Sequence, residues 1–428
     1  MRVRLKLAAL VLVGVSFASQ ASTPAALPQE GADLPITGAA APSMAALDVM
    51  MSSLMQKWQL PGGELAVAKD GRLVFAHGYG YADQDAGTTV QPDALFRIAS
   101  VSKVFTATAI LTLVDNGQLS LDAPAFDLLN IQPPAGATLD PRVASITVRE
   151  LLQHTAGFDR TVSGDPMSQV VAIASATGVP PPADCPTIVR YMLGQPLDFD
   201  PGTRFAYSNF GYCALGQVIE AVTRMSYGDF VRESVMRPAG ITRMALGRTF
   251  ESDRLPGEVT YYDYSGAPLV PSVYPSVQGQ VAAPYGGFSM EGRESSGGWI
   301  ASTVDLVKLS TGVVGRRGPP LLQPDTSAAM VQAPAFMKDP SSMYISYTGL
   351  GWDVRRPDNG GVDFSKAGNF PGTFSYVVHL ANGWDWAVVF NSQPKDVVAF
   401  GRVVDAQAQA AIDALAAAPS GDLFPQLP

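Results

Sequence analysis

Segments of β-type sequence lie near both ends of the chain and enclose a long, mostly helical middle. Near the start, two apolar runs are joined by Asp70-Gly71, a dipeptide that strongly indicates a hairpin between such runs. Further apolar runs lie between residues 344 and 391. Strands at both ends predict one sheet built from both chain ends. We therefore expect an α/β fold of the α+β type, with an antiparallel sheet flanked by helices and a mostly helical inserted region.

The expected elements follow from the period of the apolar residues. A helix over 100–115 is apolar around nearly its whole circumference, so it is expected inside the protein. Two long loops are expected over 159–186 and 251–294, and the tyrosines of the second favour ordered walls of a cleft. Strands are expected over 64–69, 73–78, 344–349, 362–366, 373–380 and 384–391, and other helices over 45–57, 148–153, 211–224, 227–236, 303–314 and 397–417.

The first 21 residues have the pattern of a secretory signal peptide. Three basic residues precede an apolar stretch over 7–17, which is short for a membrane span, and Ser19-Gln20-Ala21 fits a signal-peptidase site. We expect cleavage after Ala21 and a location in the periplasm or outside the cell, without a stable membrane anchor after cleavage. An uncleaved N-terminal anchor is the alternative.

The remaining sequence divides by composition. Residues 22–44 are rich in Ala, Pro and Gly without apolar periodicity, so a flexible leader is expected there. A single folded domain is expected over 45–418, followed by a tail over 419–428. Within the domain, the sheet region is expected at about 45–98 and 343–418, and the helical region at about 99–342.

Charge and composition exclude several classes of function. The chain has 29 Lys and Arg against 38 Asp and Glu, a formal net charge of −9, and no basic run, so we expect no nucleic-acid partner. Three His and two Cys offer neither an HExxH nor a paired CxxC site, so no metal or other cofactor is expected. The sequence leaves open whether Cys185 and Cys213 form a disulfide or remain buried thiols.

A possible nucleophile lies at the start of the buried helix. Ser100-Val-Ser-Lys103 places a hydroxyl and an amine on one helix face. A helix N-terminus favours negative charge on Oγ, and a desolvated lysine can serve as base. The alternative is an ordinary helix cap with Lys103 extending to water. A second S-x-x-K match, Ser392 to Lys395, contains Pro394, which would break a helix there.

Two more motifs follow along the chain. Tyr207-Ser-Asn209 lies between a turn and a helix, and a phenol beside a lysine ammonium can ionise more easily and exchange protons with a leaving group. Lys366-Ala-Gly368 ends a predicted strand, where the lysine could hold a substrate carboxylate and the glycine admit substrate backbone. The alternatives are a tyrosine filling the core, an asparagine helix cap and a lysine that protects a strand edge.

In this order the motifs resemble S-x-x-K, Y-x-N and K-T-G of the penicillin-recognising serine hydrolases, especially the class C β-lactamase, esterase and D-peptidase group. Sequence segments such as FRIASVSKVFTAT (96–108) and PGTRFAYSNFGYCALG (201–216) extend the resemblance over about 45–416. The resemblance implies a β-lactamase/transpeptidase-like fold.

The resemblance also implies roles for the motif residues. Ser100 would form an acyl-enzyme, with Lys103 and Tyr207 sharing the acid–base work, and Asn209 would orient the substrate amide or Lys103. The backbone N–H groups of Ser100 and Asn369 would form the oxyanion hole, and Lys366 and Gly368 would contact the substrate. By the same resemblance, His154 is expected to be structural.

The third motif departs from the family pattern because Ala367 replaces the threonine. The lost hydroxyl would have contributed about 1.5–3 kcal/mol to binding a charged group. Esterase or peptidase activity on a small-molecule or peptide acyl substrate is therefore expected at least as much as β-lactamase activity. A class C-like β-lactamase or D-Ala carboxypeptidase is one alternative, and a non-catalytic binding protein on the same fold is another.

Overall fold

The computed structural model describes residues 34–337, 346–357, 360–415 and 417–427. These residues lie in one unit, Leu34–Pro428. Its strands are β1 (Ile36–Gly38), β2 (Gly62–Lys69), β3 (Arg72–Asp83), β4 (Thr88–Thr89), β5 (Phe96–Arg97), β6 (Ala245–Leu246), β7 (Val270–Pro271), β8 (Gln280–Val281), β9 (Trp299–Ala301), β10 (Tyr347–Thr348), β11 (Asp353–Arg355), β12 (Asp363–Phe370), β13 (Thr373–His379) and β14 (Trp384–Phe390).

The helices include one π-helical stretch in the middle of the chain, Arg232–Met236, between two short α-helices. The α-helices are α1 (Ala45–Trp58), α2 (Ser102–Asp115), α3 (Val148–Leu152), α4 (Val170–Thr177), α5 (Cys185–Met192), α6 (Asn209–Thr223), α7 (Tyr227–Val231), α8 (Arg237–Ala239), α9 (Glu294–Gly297), α10 (Thr303–Val313), α11 (Pro324–Met330) and α12 (Val397–Asp413). Within the described residues, none of them is long and apolar enough to span a membrane.

The main sheet joins both ends of the described chain, as the sequence predicts. Its strand order is β1-β3-β2-β14-β13-β12-β11-β10, with β4 added on β3, and every pair is antiparallel. The seam between the two ends is the pairing of β2 with β14, where Glu64 lies opposite Val389. The predicted hairpin at Asp70-Gly71 connects β2 and β3. An antiparallel sheet from both chain ends is therefore confirmed.

The two faces of the sheet bury different layers. Alternate side chains of a strand point to opposite faces, and Leu65 and Val67 of β2 belong to the core beneath α1 and α12. Ala66 and Ala68 belong instead to the larger core that contains α2 and the helical region. Helix α10 lies against β2, β13 and β14 on this face. The sheet thus separates a terminal helix pair from the inserted helices.

Helix α2 is buried over residues 102–113, as its apolar circumference predicts. Its few polar side chains have partners, since the Thr106 hydroxyl lies 2.7 Å from both the Ser295 carbonyl oxygen and the Tyr227 hydroxyl. A 3₁₀ turn, Ala99–Val101, precedes it. Ser100 therefore stands at the entry to a helix held on all sides by the core.

The structure corrects several expectations from the sequence. The leader is not wholly irregular, because β1 pairs with β3 and a 3₁₀ turn covers Pro42–Met44. The segment over 159–186 contains α4 rather than being one loop. Lys366 does not end its strand, since β12 continues to Phe370. The tail is docked on β3, where the N–H of Leu423 donates to the carbonyl of Leu73 at 2.8 Å.

Other expectations lie partly or wholly outside the described residues. The signal peptide, its cleavage site and the start of the leader fall in residues 1–33. The first part of the strand expected over 344–349 also falls outside, and β10 forms its described part.

Cys185 and Cys213 form a disulfide that joins α5 to α6.

The long segment over 251–294 is mostly irregular, and residues 258–261 and 283–284 are buried against the rest of the protein. Tyr261 is buried, and the guanidinium of the buried Arg97 lies 4.3 Å from its ring centroid. Arg97 also donates to the carbonyl of Pro284 at 2.6 Å. A Cβ added at Gly372, in the turn between β12 and β13, would lie 2.8 Å from Pro284 and 2.9 Å from Tyr261. This segment thus forms an ordered wall beside the strand that carries Lys366.

Candidate active site

Ser100 lies in the 3₁₀ turn that leads into α2. The preceding residue, Ala99, has a left-handed backbone with φ of 44°, which is costly for a residue with a Cβ. The N–H of Val101 donates to the carbonyl of Ile98 at 3.0 Å. The N–H of Ser100 comes earlier in the turn, where a helix offers no partner of its own. This turn therefore presents the Ser100 hydroxyl and a backbone donor together.

Lys103 lies one helical turn beyond Ser100 and is completely buried. Its Nζ is 3.1 Å from Ser100 Oγ, 2.8 Å from Asn209 Oδ1 and 2.5 Å from the carbonyl oxygen of Ser296. Burial, followed by the positive charge of Lys366, lowers the pKa of Lys103 well below its usual range. The alternative of a lysine that extends to water is therefore wrong.

The partners of Lys103 define how a neutral amine would be oriented. The Ser296 carbonyl oxygen and Asn209 Oδ1 can only accept hydrogen bonds. A neutral amine has two N–H groups, and both are used by these acceptors. Its lone pair then faces Ser100 Oγ. In this protonation state Lys103 can accept the proton of the Ser100 hydroxyl.

Tyr207 lies in the segment just before α6, and its hydroxyl is 2.6 Å from Ser100 Oγ. Burial raises the pKa of Tyr207, although the hydrogen bond between Tyr207 and Ser100 and the charge of Arg160 oppose this shift. The expectation that a neighbouring ammonium eases ionisation of this phenol is therefore wrong. With a raised pKa, the Tyr207 hydroxyl can act as a hydrogen-bond donor to Ser100 Oγ.

Asn209 is the first residue of α6, behind the N-cap Ser208, whose Oγ accepts the N–H of Gly211. Its Nδ2 donates to Asp165 Oδ2 at 2.7 Å. Because a carboxylate accepts and does not donate, this contact fixes the amide with Oδ1 toward Lys103. Asp165 was missed from the sequence, since a lone aspartate in a loop carries no motif.

Lys366 lies on β12 and is only 2% exposed. The alternative that it is an exposed lysine protecting a strand edge is therefore wrong. Its Nζ lies 5.8 Å from the Tyr207 ring centroid. Both carboxylate oxygens of Asp353 lie 3.3 Å from Nζ, and the Asp353 side chain is 41% exposed. The sequence did not indicate this partner. The lysine of the third motif is therefore paired within the protein.

Gly368 brings β12 against the nucleophile's backbone. A Cβ placed there would lie 2.4 Å from the carbonyl oxygen of Ile98 and 2.8 Å from the nitrogen of Ser100. The next strand is tied to the same segment, since the Ser375 hydroxyl donates to the Ile98 carbonyl at 2.7 Å. Asn369 follows in β12 with an exposed side chain. Its contribution to an oxyanion hole stays a prediction.

His154 packs beneath Tyr207 and is buried, with ring centroids 4.5 Å apart. Its Nδ1 accepts the backbone N–H of Ser208 at 3.2 Å. Burial, with nearby positive charges, lowers the pKa of His154 well below its usual range. The neutral His154 ring packs against Tyr207, so its role is to hold Tyr207 in position.

The described residues contain no group of three or more His, Cys, Asp or Glu side chains that could hold a metal ion. The chemistry available at this site is that of Ser100, Lys103 and Tyr207, with backbone donors and the Asn209 amide around them. Such a set can transfer an acyl group to and from a serine.

Comparison with known proteins identifies the family of the chain. The model of the family described as "Beta-lactamase" matches residues 47–410. The probable fimbrial assembly protein FimD, serogroup H1, of Dichelobacter nodosus is 37% identical over 180 residues, which are 42% of this chain and 41% of that protein. Protein flp of Staphylococcus aureus strain N315 is 28% identical over 203 residues, 47% of this chain and 38% of that protein. The matches therefore span about two fifths of the length of these curated relatives.

Solved structures show the same fold. A D-amino acid amidase from Ochrobactrum anthropi SV3 has a TM-score of 0.66 at 23% identity, covering 87% of this chain and 99% of that one. A penicillin-binding protein homologue from Pyrococcus abyssi has a TM-score of 0.64 at 24% identity, covering 85% and 77%. With a family match over most of its length and this fold, the chain belongs to the Beta-lactamase family of serine hydrolases.

Proposed function

We propose that the chain is an exported hydrolase that acts on esters or amides through an acyl-enzyme on Ser100, with weaker activity on β-lactams. The observation that carries the proposal is the environment of Lys103. It is buried, two of its contacts can only accept hydrogen bonds, and the third is Ser100 Oγ. This arrangement suits a neutral base placed at a nucleophile.

Acylation begins when Ser100 Oγ attacks the substrate carbonyl carbon and its proton passes to Lys103 Nζ. The oxyanion that forms is stabilised by the backbone N–H groups of Ser100 and Asn369. When the bond to the leaving atom breaks, Tyr207 gives that atom its proton, and Lys103 returns a proton to Tyr207. The net result is transfer of the Ser100 proton to the leaving group.

Deacylation uses the same groups in reverse. A water molecule takes the place of the leaving group near Tyr207, loses a proton to the Tyr207 and Lys103 pair, and attacks the acyl carbon. The bond to Oγ breaks and Ser100 regains its proton. Asn209, held by Asp165, keeps Lys103 in place through both halves.

Two features disfavour β-lactams. Ala367 offers no hydroxyl to a substrate carboxylate, and Lys366 is already paired with Asp353. A charged hydrogen bond contributes about 1.5–3 kcal/mol, so losing one or two slows acylation by substrates that need them. A D-amino acid amidase among the structural neighbours makes amides a class to test beside esters.

The nucleophile is tested by labelling with a fluorophosphonate probe and intact-mass measurement. We expect one adduct on the wild type and none on Ser100→Ala, with hydrolysis of p-nitrophenyl butyrate lost in the same variant. Ser392→Ala is the matched control because Ser392 heads the other S-x-x-K sequence. It should keep both the adduct and the activity. An adduct that persists in Ser100→Ala overturns the mechanism, and no adduct on any form favours a non-catalytic binding protein.

Substrate class is tested by assaying a chromogenic cephalosporin, p-nitrophenyl butyrate and a D-alanyl p-nitroanilide in parallel. We expect the ester to exceed the cephalosporin. A cephalosporin rate near that of dedicated β-lactamases would favour the class C-like alternative, and dominance of the D-alanyl substrate would favour a D-peptidase.

Export is tested separately by fractionating cells that express the full chain and sequencing the mature N-terminus. Cleavage after Ala21 and activity outside the cytoplasm are expected. An uncleaved chain in the membrane fraction would support the N-terminal anchor instead.

A further inference from the structure

An arginine that belongs to none of the three motifs lies over the proposed proton donor. The Cζ atom of Arg160 is 4.7 Å from the ring centroid of Tyr207, whose hydroxyl contacts Ser100 Oγ. Arg160 is exposed, and no hydrogen bond or ion pair of its guanidinium is found in the described part of the chain. Its donors are therefore accessible from solvent.

The backbone around Arg160 is fixed by its neighbours. The carboxylate of Asp159 accepts from the N–H of Thr161 at 2.9 Å, from its hydroxyl at 2.6 Å, and from Arg204 at 2.7 Å. The N–H of Asp159 donates to Asp198 at 2.7 Å. A guanidinium held on an anchored turn loses less conformational entropy when it binds a ligand.

The other cations near Ser100 are already engaged. Lys366 pairs with Asp353, and Lys103 is buried among its three hydrogen-bond partners. Arg293 is buried and donates to the carbonyl of Met167 at 2.6 Å. A substrate anion that reaches this site would meet Arg160 as the accessible cation.

We propose that Arg160 is the subsite for a carboxylate carried by the substrate, in place of the third motif. This rests on the proposed function of Ser100. A guanidinium binds a carboxylate through two parallel hydrogen bonds, a geometry that an ammonium does not offer. Because Arg160 flanks Tyr207, the carboxylate lies close to the scissile bond, in the acyl part or in the leaving group. The enzyme then selects anionic esters or amides.

Two matched ester pairs separate these positions. p-Acetoxybenzoate and its methyl ester differ by a carboxylate in the leaving group, and mono-p-nitrophenyl glutarate and p-nitrophenyl butyrate differ by one in the acyl part. For each pair we would measure the ratio of kcat/KM for the anionic ester to that for the neutral ester. In Arg160→Gln this ratio should fall about 10- to 100-fold for at least one pair. For Arg160→Lys, the ratio should lie between those of the wild type and Arg160→Gln.

The control variant is Arg190→Gln, which removes an exposed arginine of α5 outside the site and should leave both ratios unchanged. Ratios that do not change in Arg160→Gln, while Ser100→Ala abolishes turnover, overturn this inference alone. Turnover that survives in Ser100→Ala overturns the proposed function instead.

A binding measurement remains decisive even if none of these esters is hydrolysed. Calorimetric titration with benzoate needs no nucleophile. We expect benzoate to bind wild type and Ser100→Ala, and to bind Arg160→Gln at least about tenfold more weakly. Equal affinity for wild type and Arg160→Gln, or no binding to wild type, would refute the subsite.

Discussion

The carboxylate of Asp165 accepts a hydrogen bond of 2.7 Å from the side-chain amide of Asn209, which in turn accepts one of 2.8 Å from Lys103. Asp165 therefore acts on Lys103 in two ways. It fixes the direction of the Asn209 amide, and its negative charge raises the pKa of Lys103. Lys366 acts in the opposite direction, because its positive charge lowers that pKa.

These opposed charges predict opposite shifts in the pH dependence of hydrolysis. The neutral form of Lys103 is active, so kcat/KM falls as the pH drops through the pKa of Lys103. Asp165→Asn removes a charge that raises this pKa, and the acidic limb should move to lower pH. Lys366→Gln removes a charge that lowers it, and the limb should move to higher pH. The measurement is kcat/KM for p-nitrophenyl butyrate against pH.

Asp229→Asn is the control for this experiment, since it removes an exposed carboxylate of α7 that pairs with Arg232. Its acidic limb should coincide with that of the wild type. Shifts of Asp165→Asn and Lys366→Gln in the same direction would contradict the assignment of Lys103 as the base.

Gly368→Ala should strongly lower kcat while the protein stays folded. Its Cβ would lie within 2.8 Å of the Ser100 nitrogen and the Ile98 carbonyl oxygen, so the strand or the turn must move. A displacement of about 1 Å at a catalytic centre can cost about 100-fold in rate. We expect a loss of at least that order in kcat. Circular dichroism and Tm should show a folded variant.

The matched control is Gly401→Ala in α12, where the nearest atoms to an added Cβ are those of Phe374 at 3.5 Å. It should keep full activity and gain about 0.5–1 kcal/mol in stability from helix propensity. Activity of Gly368→Ala within a few-fold of the wild type would show that the close approach of β12 is not needed.

The sequence predicts the parts of this protein that depend on local pattern. Apolar period and the Asp-Gly turn identify the main strands, and S-x-x-K places Ser100 and Lys103 on one turn of a helix. The three-residue strand β1 has too few residues to show a period, and its pairing with β3 arises only in the folded chain. Asp165 and Asp353 reach the site from distant segments, so no spacing in the sequence reveals them. The direction of the Tyr207 pKa shift likewise depends on burial in the tertiary structure.

Changing Asp353 and Ala367 together should increase β-lactam hydrolysis. Asp353→Asn frees the charge of Lys366, and Ala367→Thr restores the hydroxyl of the family motif. Each change should improve carboxylate recognition, and the double variant should raise kcat/KM for a chromogenic cephalosporin about tenfold or more. Ala367→Ser serves as the conservative comparison because it also supplies a hydroxyl. No increase in the double variant would show that the third motif does not limit β-lactam turnover.

Glu64 predicts a pH-dependent stability that is independent of catalysis. Its Oε1 accepts the hydroxyl of Thr303 at 2.7 Å and the N–H of Thr303 at 3.1 Å, at the start of α10. Within the described residues Oε2 has no partner. Burial raises the pKa of Glu64 well above its usual range, and this outweighs the hydrogen bonds from Thr303, which lower it.

A carboxyl whose pKa is raised in the folded state binds its proton more tightly there than in the unfolded chain. Its stabilising effect is present below the unfolded pKa and is lost as the pH rises through the folded pKa. Glu64→Gln should therefore match the wild type at low pH and exceed it increasingly as the pH rises, measured by urea unfolding. Glu233→Gln, an exposed site in the π-helical stretch, should show no such trend. If Glu64→Gln instead loses stability relative to the wild type with rising pH, the carboxylate is ionised and held by the N-terminus of α10.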